Sequence, residues 1–150
     1  MVTKLSPYCS IQRSLDVLGE RWTILILREA LSGVTRFDQF RSSLRVAPDI
    51  LADRLNTLVD FGVLERRRYR EPGARSRDAY HLTVAGEELL VVLSALQQWG
   101  DDHLPREGGP TMARRRKGTD EALHVGFIDE RGVEVNAGDV AIVRTVAYPV

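Results

Sequence analysis

The sequence has a single cysteine in 150 residues, Cys9, so it can form neither an intramolecular disulfide nor a multi-cysteine metal site. It has no long apolar run, since the longest, residues 89–93, is far short of the roughly 20 needed to cross a bilayer. It lacks a glycine-rich phosphate loop, and His81, His103 and His124 stand far apart without metal-ligand spacing. Residues 1–10 show neither the apolar stretch nor the small-residue cleavage site of a secretory signal. The acidic pairs Glu87-Glu88 and Asp101-Asp102 fall on a predicted helix and read as solvated charges. Together these absences argue against an enzyme and lead us to expect a cytoplasmic protein with no membrane span, metal or cofactor.

Net charge is also missing. Twenty-one basic residues balance 21 acidic ones, so a polyanionic partner must be met by a local patch. Such a patch exists: from Arg36 to Arg77 there are ten arginines, no lysine and six acidic residues, and six of the arginines crowd into residues 66–77. At 43% hydrophobic and 28% charged residues, the chain has an ordinary globular composition and length for one domain plus an appendage.

Hydrophobic spacing predicts the elements. Leu15, Leu18 and Trp22, followed by Ile24, Leu25, Leu27 and Leu31, predict two helices over residues 11–32, broken near Gly19. Phe37, Phe40 and Leu44 predict a short amphipathic helix over 36–43. Pro48 at a first helical position, Asp49 at the positive dipole end and the stripe Leu51, Leu55, Leu58 predict a helix over 48–61, stopped by Gly62. Residues 63–69 and 78–82 read as a hairpin with a turn-rich basic tip. Thr83 then caps a strongly apolar helix over 84–102. Beyond a linker marked by Pro105, Gly108, Gly109 and Pro110, residues 123–128 and 133–135 read as a small hairpin, and residues 140–146 as a further strand.

Helix, helix, helix, strand, turn, strand, helix is the order of a winged helix-turn-helix, mainly α with a small β wing, followed here by a short β-rich extension. The boundaries read 9–104 for the DNA-binding and dimerisation domain, 105–119 for the linker and 120–150 for the extension. In such a fold the helix over 48–61 enters the major groove, which accommodates one α-helix. With Leu51, Leu55 and Leu58 inward, Pro48, Asp49, Ala52, Asp53, Arg54 and Asn56 become the reading candidates. Asn56 suits adenine, Arg54 guanine and Ala52 a thymine methyl. Asp49 and Asp53 would accept from a cytosine amino group or orient a neighbouring arginine. Arg36, Arg66, Arg68, Arg70, Arg75 and Arg77 are the backbone and minor-groove candidates. The competing reading is a winged-helix protein-interaction module, its hairpin charges serving solubility.

Taken together, Cys9 with Leu15-Asp16-Val17-Leu18-Gly19, Arg21-Trp22-Thr23, Ile26-Leu27-Arg28-Glu29, Arg36-Phe37, Leu51-Ala52-Asp53-Arg54-Leu55, Gly62-Val63-Leu64-Glu65-Arg66, Tyr80-His81-Leu82-Thr83 and Gly86 resemble the HxlR-type family of bacterial winged-helix regulators, relatives of the MarR family. The resemblance covers residue 9 to about residue 99. It implies a homodimer that binds an inverted-repeat operator on double-stranded DNA, often as a repressor. It also implies a dimer interface from the first and last helices, for which Ile11, Leu15, Leu89, Val92, Leu93, Leu96 and Trp99 are the candidates. Ala47, Pro48 and Asp49 depart from the small polar and glutamine residues commoner at the start of the reading helix. Some relatives sense oxidants or electrophiles through a cysteine near the N-terminus, where Cys9 stands; the alternative is a buried packing residue. An apolar effector would sit between residues 84–99 and the N-terminal helices. Residues 123–150 lack the cysteine pairs with which some relatives look zinc-binding. The basic run 114–117 reads either as linker solubility or as further phosphate contacts.

Overall fold

The structure, a computed structural model, describes residues 8–148. Residues 1–7 of the segment inspected for a secretory signal, and the last two residues of the extension, lie outside them. The elements are α1 (Ser10–Leu18), α2 (Arg21–Leu31), α3 (Phe37–Leu44), α4 (Pro48–Asp60), β1 (Leu64–Tyr69), β2 (Arg77–Leu82) and α5 (Val84–His103), followed by β3 (Phe127–Ile128) and β4 (Glu134–Val135). This is a winged helix-turn-helix, with element ends within one residue or two of those expected through α5. The chain divides into two compact units within α5, after Leu90.

In the first unit the helical stripes meet as their spacing requires. Ile26, Leu27 and Ala30 of α2, Phe40 of α3, and Leu51, Leu55 and Leu58 of α4 are buried against Val63, Leu64, Ala79 and Tyr80 of the hairpin. Every buried residue among those described lies between Thr23 and Gly86. Each leucine removed from water stabilises the fold by about 1.5–3 kcal/mol. Pro48 sits at the first turn of α4, as its missing N–H and fixed φ favour. Gly62, with φ 69°, takes the left-handed conformation just past the end of that helix.

β1 and β2 pair antiparallel from Leu64 opposite Leu82 to Tyr69 opposite Arg77. The segment before α3 adds to this sheet: Arg36 bridges Ala79, and the Tyr80 N–H donates to the Thr35 carbonyl at 2.7 Å. α3 thus starts from the wing itself. At the base of the wing the Thr83 hydroxyl donates to the Gly62 carbonyl at 2.6 Å and accepts from the Gly86 N–H at 3.2 Å. A β-carbon at Gly86 would lie 2.3 Å from the Val63 carbonyl oxygen, so the first turn of α5 can pack here only without a side chain.

A polar tie fixes α3 to α2. The Ser43 hydroxyl donates to Glu29 Oε2 at 2.5 Å, while Arg28 holds Oε1 at 2.6 Å. The Ser43 hydrogen bond, with the Arg28 guanidinium assisting, keeps the Glu29 carboxyl below its ordinary value of 4.5, against the opposing effect of burial.

In the second unit none of the described residues is buried. Gln98 of α5 accepts from the Val125 N–H and donates to its carbonyl, both at 2.9 Å, and Gln97 donates to the Met112 carbonyl at 2.9 Å. Residues 114–123 close a turn in which the Arg116 N–H donates to the Glu121 carbonyl and the Leu123 N–H to the Arg114 carbonyl. Arg115 and Arg116 pair with Asp120 and Glu121, so two of the four charges in the basic run 114–117 are neutralised locally. In the β3–β4 turn, backbone N–H groups of Val133 and Arg131 donate to Asp129 Oδ1. The Val133 bond and the Arg131 side chain lower the Asp129 pKa.

The extension is less regular than expected. Strand structure is limited to Phe127–Ile128 and Glu134–Val135, and residues 140–146 form no strand. Their apolar residues Ile142, Val143 and Val146 are exposed. A lone apolar run has neither a ladder partner nor a face to bury, so it gains nothing by becoming a strand.

The tie between Glu29 and Ser43 predicts a pH signature. A carboxyl lowered in the folded state stabilises that state above its ordinary value, and the contribution is lost as the pH falls through the folded pKa. Ser43→Ala should therefore lower stability by about 1 kcal/mol at neutral pH. In urea melts this deficit should shrink as the pH falls below 4.5; a deficit independent of pH would show that Ser43 acts by another route.

Candidate nucleic-acid interface

With Leu51, Leu55 and Leu58 at 0% exposure, the rotation of α4 is set and its opposite face follows. Asp49, Asp53, Asn56 and Asp60 recur at i, i+4, i+7 and i+11 and are all exposed, with Ala52 half-buried beside them. Pro48 is exposed at the start of the same helix. Arg54 lies off this face. Its side chain is 25% exposed, hydrogen-bonds to Asp53 and reaches Glu20 at the start of α2 at 3.9 Å. Asp53 is thus paired with the neighbouring arginine. The outer face of α4 is left with three carboxylates and one carboxamide.

Asn56 is joined to the wing. Arg66 Nη2 donates to Asn56 Oδ1 at 2.5 Å, fixing the carboxamide while leaving its NH₂ group and one oxygen lone pair for another partner.

The remaining arginines divide by what they touch. The Arg36 guanidinium lies 4.6 Å from the Tyr69 ring centroid and 2.5 Å from Glu71 Oε1. Arg77 pairs with Asp38 at 2.9 Å, Arg67 with Glu65 at 2.5 Å and Arg68 with Asp78 at 3.9 Å. Arg36 and Arg77 thus bind the start of α3 to the hairpin. Arg77 lines a cleft of about 370 Å³ together with Phe37, Asp38, Tyr69, Asp78 and Tyr80. Arg70 Nε donates to the Ala74 carbonyl within the wing tip at 3.1 Å. Arg75, also at the tip, is exposed and without a hydrogen-bond or ion-pair partner among the described residues.

The sequence reading passed over two residues in the same condition. Arg41 and Arg45 are exposed, and neither has a side-chain partner among the described residues. Their signal was legible: two arginines at i, i+4 with no acidic residue between them.

Cys9 is the residue preceding α1 and is exposed, so within this chain it is not a buried packing residue. The expected interface residues are uncovered to different degrees. Ile11 and Leu15 of α1 are 72% and 50% exposed. On α5, Val92, Leu96 and Trp99 are exposed, while Leu89 and Leu93 are half-buried. Among the described residues no group of three or more His, Cys, Asp or Glu side chains could hold a metal ion. No helix there is long and apolar enough to cross a membrane.

Comparison with known proteins agrees with this geometry. Residues 17–108 match a family model described as HxlR-like helix-turn-helix. The chain is 43% identical over 106 residues to the uncharacterised HTH-type transcriptional regulator MT3179 of Mycobacterium tuberculosis, a match covering 71% of this chain and 66% of that protein. It therefore spans just under two thirds of the length of this relative. Among solved structures, the crystal structure of PA1607, a candidate transcription factor, has 34% identity and a TM-score of 0.75, with 91% of this chain and 95% of that one covered. PA1374 of Pseudomonas aeruginosa, also a candidate transcription factor, has 35% identity and a TM-score of 0.66, with 94% and 95% covered. Both matches run well past residue 108, so the extension has counterparts there. Quinone-bound YodB of Bacillus subtilis matches at 27% identity and a TM-score of 0.52, covering 61% of this chain and 96% of its own.

Proposed function

The chain belongs to the HxlR-like helix-turn-helix family, and from that premise we propose that it is a cytoplasmic homodimer that binds an inverted-repeat operator on double-stranded DNA and represses transcription. The observation that carries this reading is α4, a helix held by a fully buried leucine stripe with a polar outer face beside an arginine-rich hairpin. Asn56, steadied by Arg66, has the donor and acceptor needed to read adenine. Asp49 and Asp53 are acceptors suited to cytosine amino groups, and Ala52 suits a thymine methyl. Arg54, drawn toward Glu20, supports α4 rather than reading guanine. Arg36 and Arg77 set the pose of the wing, while Arg68, Arg70 and Arg75 lie on the hairpin that follows the DNA backbone.

The three carboxylates on the outer face of α4 favour a second reading, in which that face docks on a basic protein. Selection of genomic fragments by the purified protein separates the two. Operator binding predicts enrichment of a two-fold-related sequence, and Asn56→Ala should relax preference at one position per half-site by about 1–3 kcal/mol. Recovery of fragments no different from the input would leave the protein-docking reading in place.

The homodimer rests on uncovered apolar surface. Leu96 and Trp99 of α5 are 51% and 57% exposed, Val91 and Val92 are exposed as well, and α1 presents Ile11 and Leu15. A helix apolar on its outer side buries that side against a partner. Leu96→Glu with Trp99→Asp should convert a dimer to a monomer in sedimentation velocity. A native protein sedimenting as a monomer removes this element of the proposal.

Thiol sensing would use Cys9, exposed at the start of α1, where an electrophilic or oxidising effector meets it without unfolding the chain. With one thiol per chain, the product is an adduct or an intersubunit disulfide. Quinone treatment should weaken binding of the native protein to its selected fragment and spare Cys9→Ser; equal responses would dispose of the sensor.

A further inference from the structure

We propose that Arg41 and Arg45 form the phosphate anchor of this chain, gripping the DNA backbone where α4 begins; the assignment rests on the DNA-binding reading above. Five of the ten arginines between Arg36 and Arg77 are ion-paired: Arg36, Arg54, Arg67, Arg68 and Arg77. Arg66 is bonded to Asn56 and Arg70 to the Ala74 carbonyl. A neutralised guanidinium has little charge to offer a phosphate without first giving up its carboxylate. Arg41, Arg45 and, at the wing tip, Arg75 have no such partner among the described residues, and of these only Arg41 and Arg45 lie next in sequence to the start of α4.

Their placement combines two features. Arg41 lies in the last turn of α3 and Arg45 is its left-handed C-cap, where the helix dipole favours a cation, yet no carboxylate among the described residues pairs with either. Arg45 also occupies the left-handed region, with φ 51° and ψ 35°, and is the only non-glycine residue with positive φ among those described. Glycine would take this conformation without strain. A left-handed arginine and unpaired charge gathered at one turn, in a domain otherwise consistent in its local choices, mark a position held for use as well as for folding.

The turn holding Arg45, Val46 and Ala47 leads directly into Pro48. Val46 is buried at 4% exposure and pins the turn to the core, while Arg45, three residues before Pro48, is exposed. A helix start offers free N–H groups and positive dipole to an anion, and here no side chain caps it. Asp49 in that first turn subtracts from the field. Of the unpaired arginines, Arg41 and Arg45 are the ones beside this helix start in the chain, Arg75 standing at the wing tip. An anchor at this point sets how deep α4 sits in the groove and so which base edges Asp49, Ala52 and Asn56 reach.

The test is the salt dependence of binding to a mixed-sequence duplex, because each phosphate contact releases counterions and adds to the slope of log affinity against log salt. Arg45→Gly removes the charge and the strain together, so its thermal midpoint should hold or rise while the slope falls by about 1 per bound protomer. Arg41→Gln should reduce the slope similarly, and Arg45→Lys should keep it. Arg67→Gln, at an arginine paired with Glu65 and outside the candidate interface, should leave the slope near native. Native protein that binds with a steep slope, unchanged in Arg41→Gln and Arg45→Gly, overturns the anchor but leaves DNA binding standing. Native protein with no salt-dependent binding overturns both.

Discussion

Burial of Leu51, Leu55 and Leu58 against α2 and the wing base governs what this protein can present to the outside. All three are fully buried, and together they are worth several kcal/mol on the usual scale for core leucines. An exposed ion pair contributes about 0–1 kcal/mol, so no surface charge of α4 can rotate the helix against that stripe. The outer face is thereby fixed as Asp49, Asp53, Asn56 and Asp60, whatever their electrostatic preference. What α4 can present to a partner is a consequence of core packing.

Charge in the first unit works mostly on geometry. Arg36 and Arg77 reach across from the start of α3 and the end of the hairpin to Glu71 and Asp38, and all four side chains are well exposed. Such pairs add little stability, but with the Arg36–Ala79 bridge they hold the wing and α3 as one piece. The arginine-rich composition from 36 to 77 thus overstates the charge available to a polyanion. In the second unit the same pattern recurs at Arg115 and Arg116.

Much of this was legible in the sequence, for identifiable reasons. Helical stripes, Pro48 and Gly62 are local signals with local causes, and they located α2, α3 and α4 closely. The outward placement of Asp49, Asp53 and Asn56 followed from the stripe alone. Arg54 could not be placed that way, because its position depends on Glu20, 34 positions earlier in the chain. Likewise, the neutralisation of Arg36 and Arg77 depends on carboxylates 35 and 39 residues away, a relation that composition does not contain. Residues 140–146 have strand-like composition but no partner to pair with, and strand formation is decided by the partner. The left-handed turn at Arg45 was hidden because arginine carries no preference for that conformation.

The central claim is that the outer face of α4 lies in a major groove, once per protomer. Methylation interference at guanine N7, a major-groove atom, tests it most directly on a fragment the protein itself selects. The account predicts that N7 methylation blocks binding within two half-sites about 10 base pairs apart. Binding indifferent to N7 methylation throughout the fragment would contradict it.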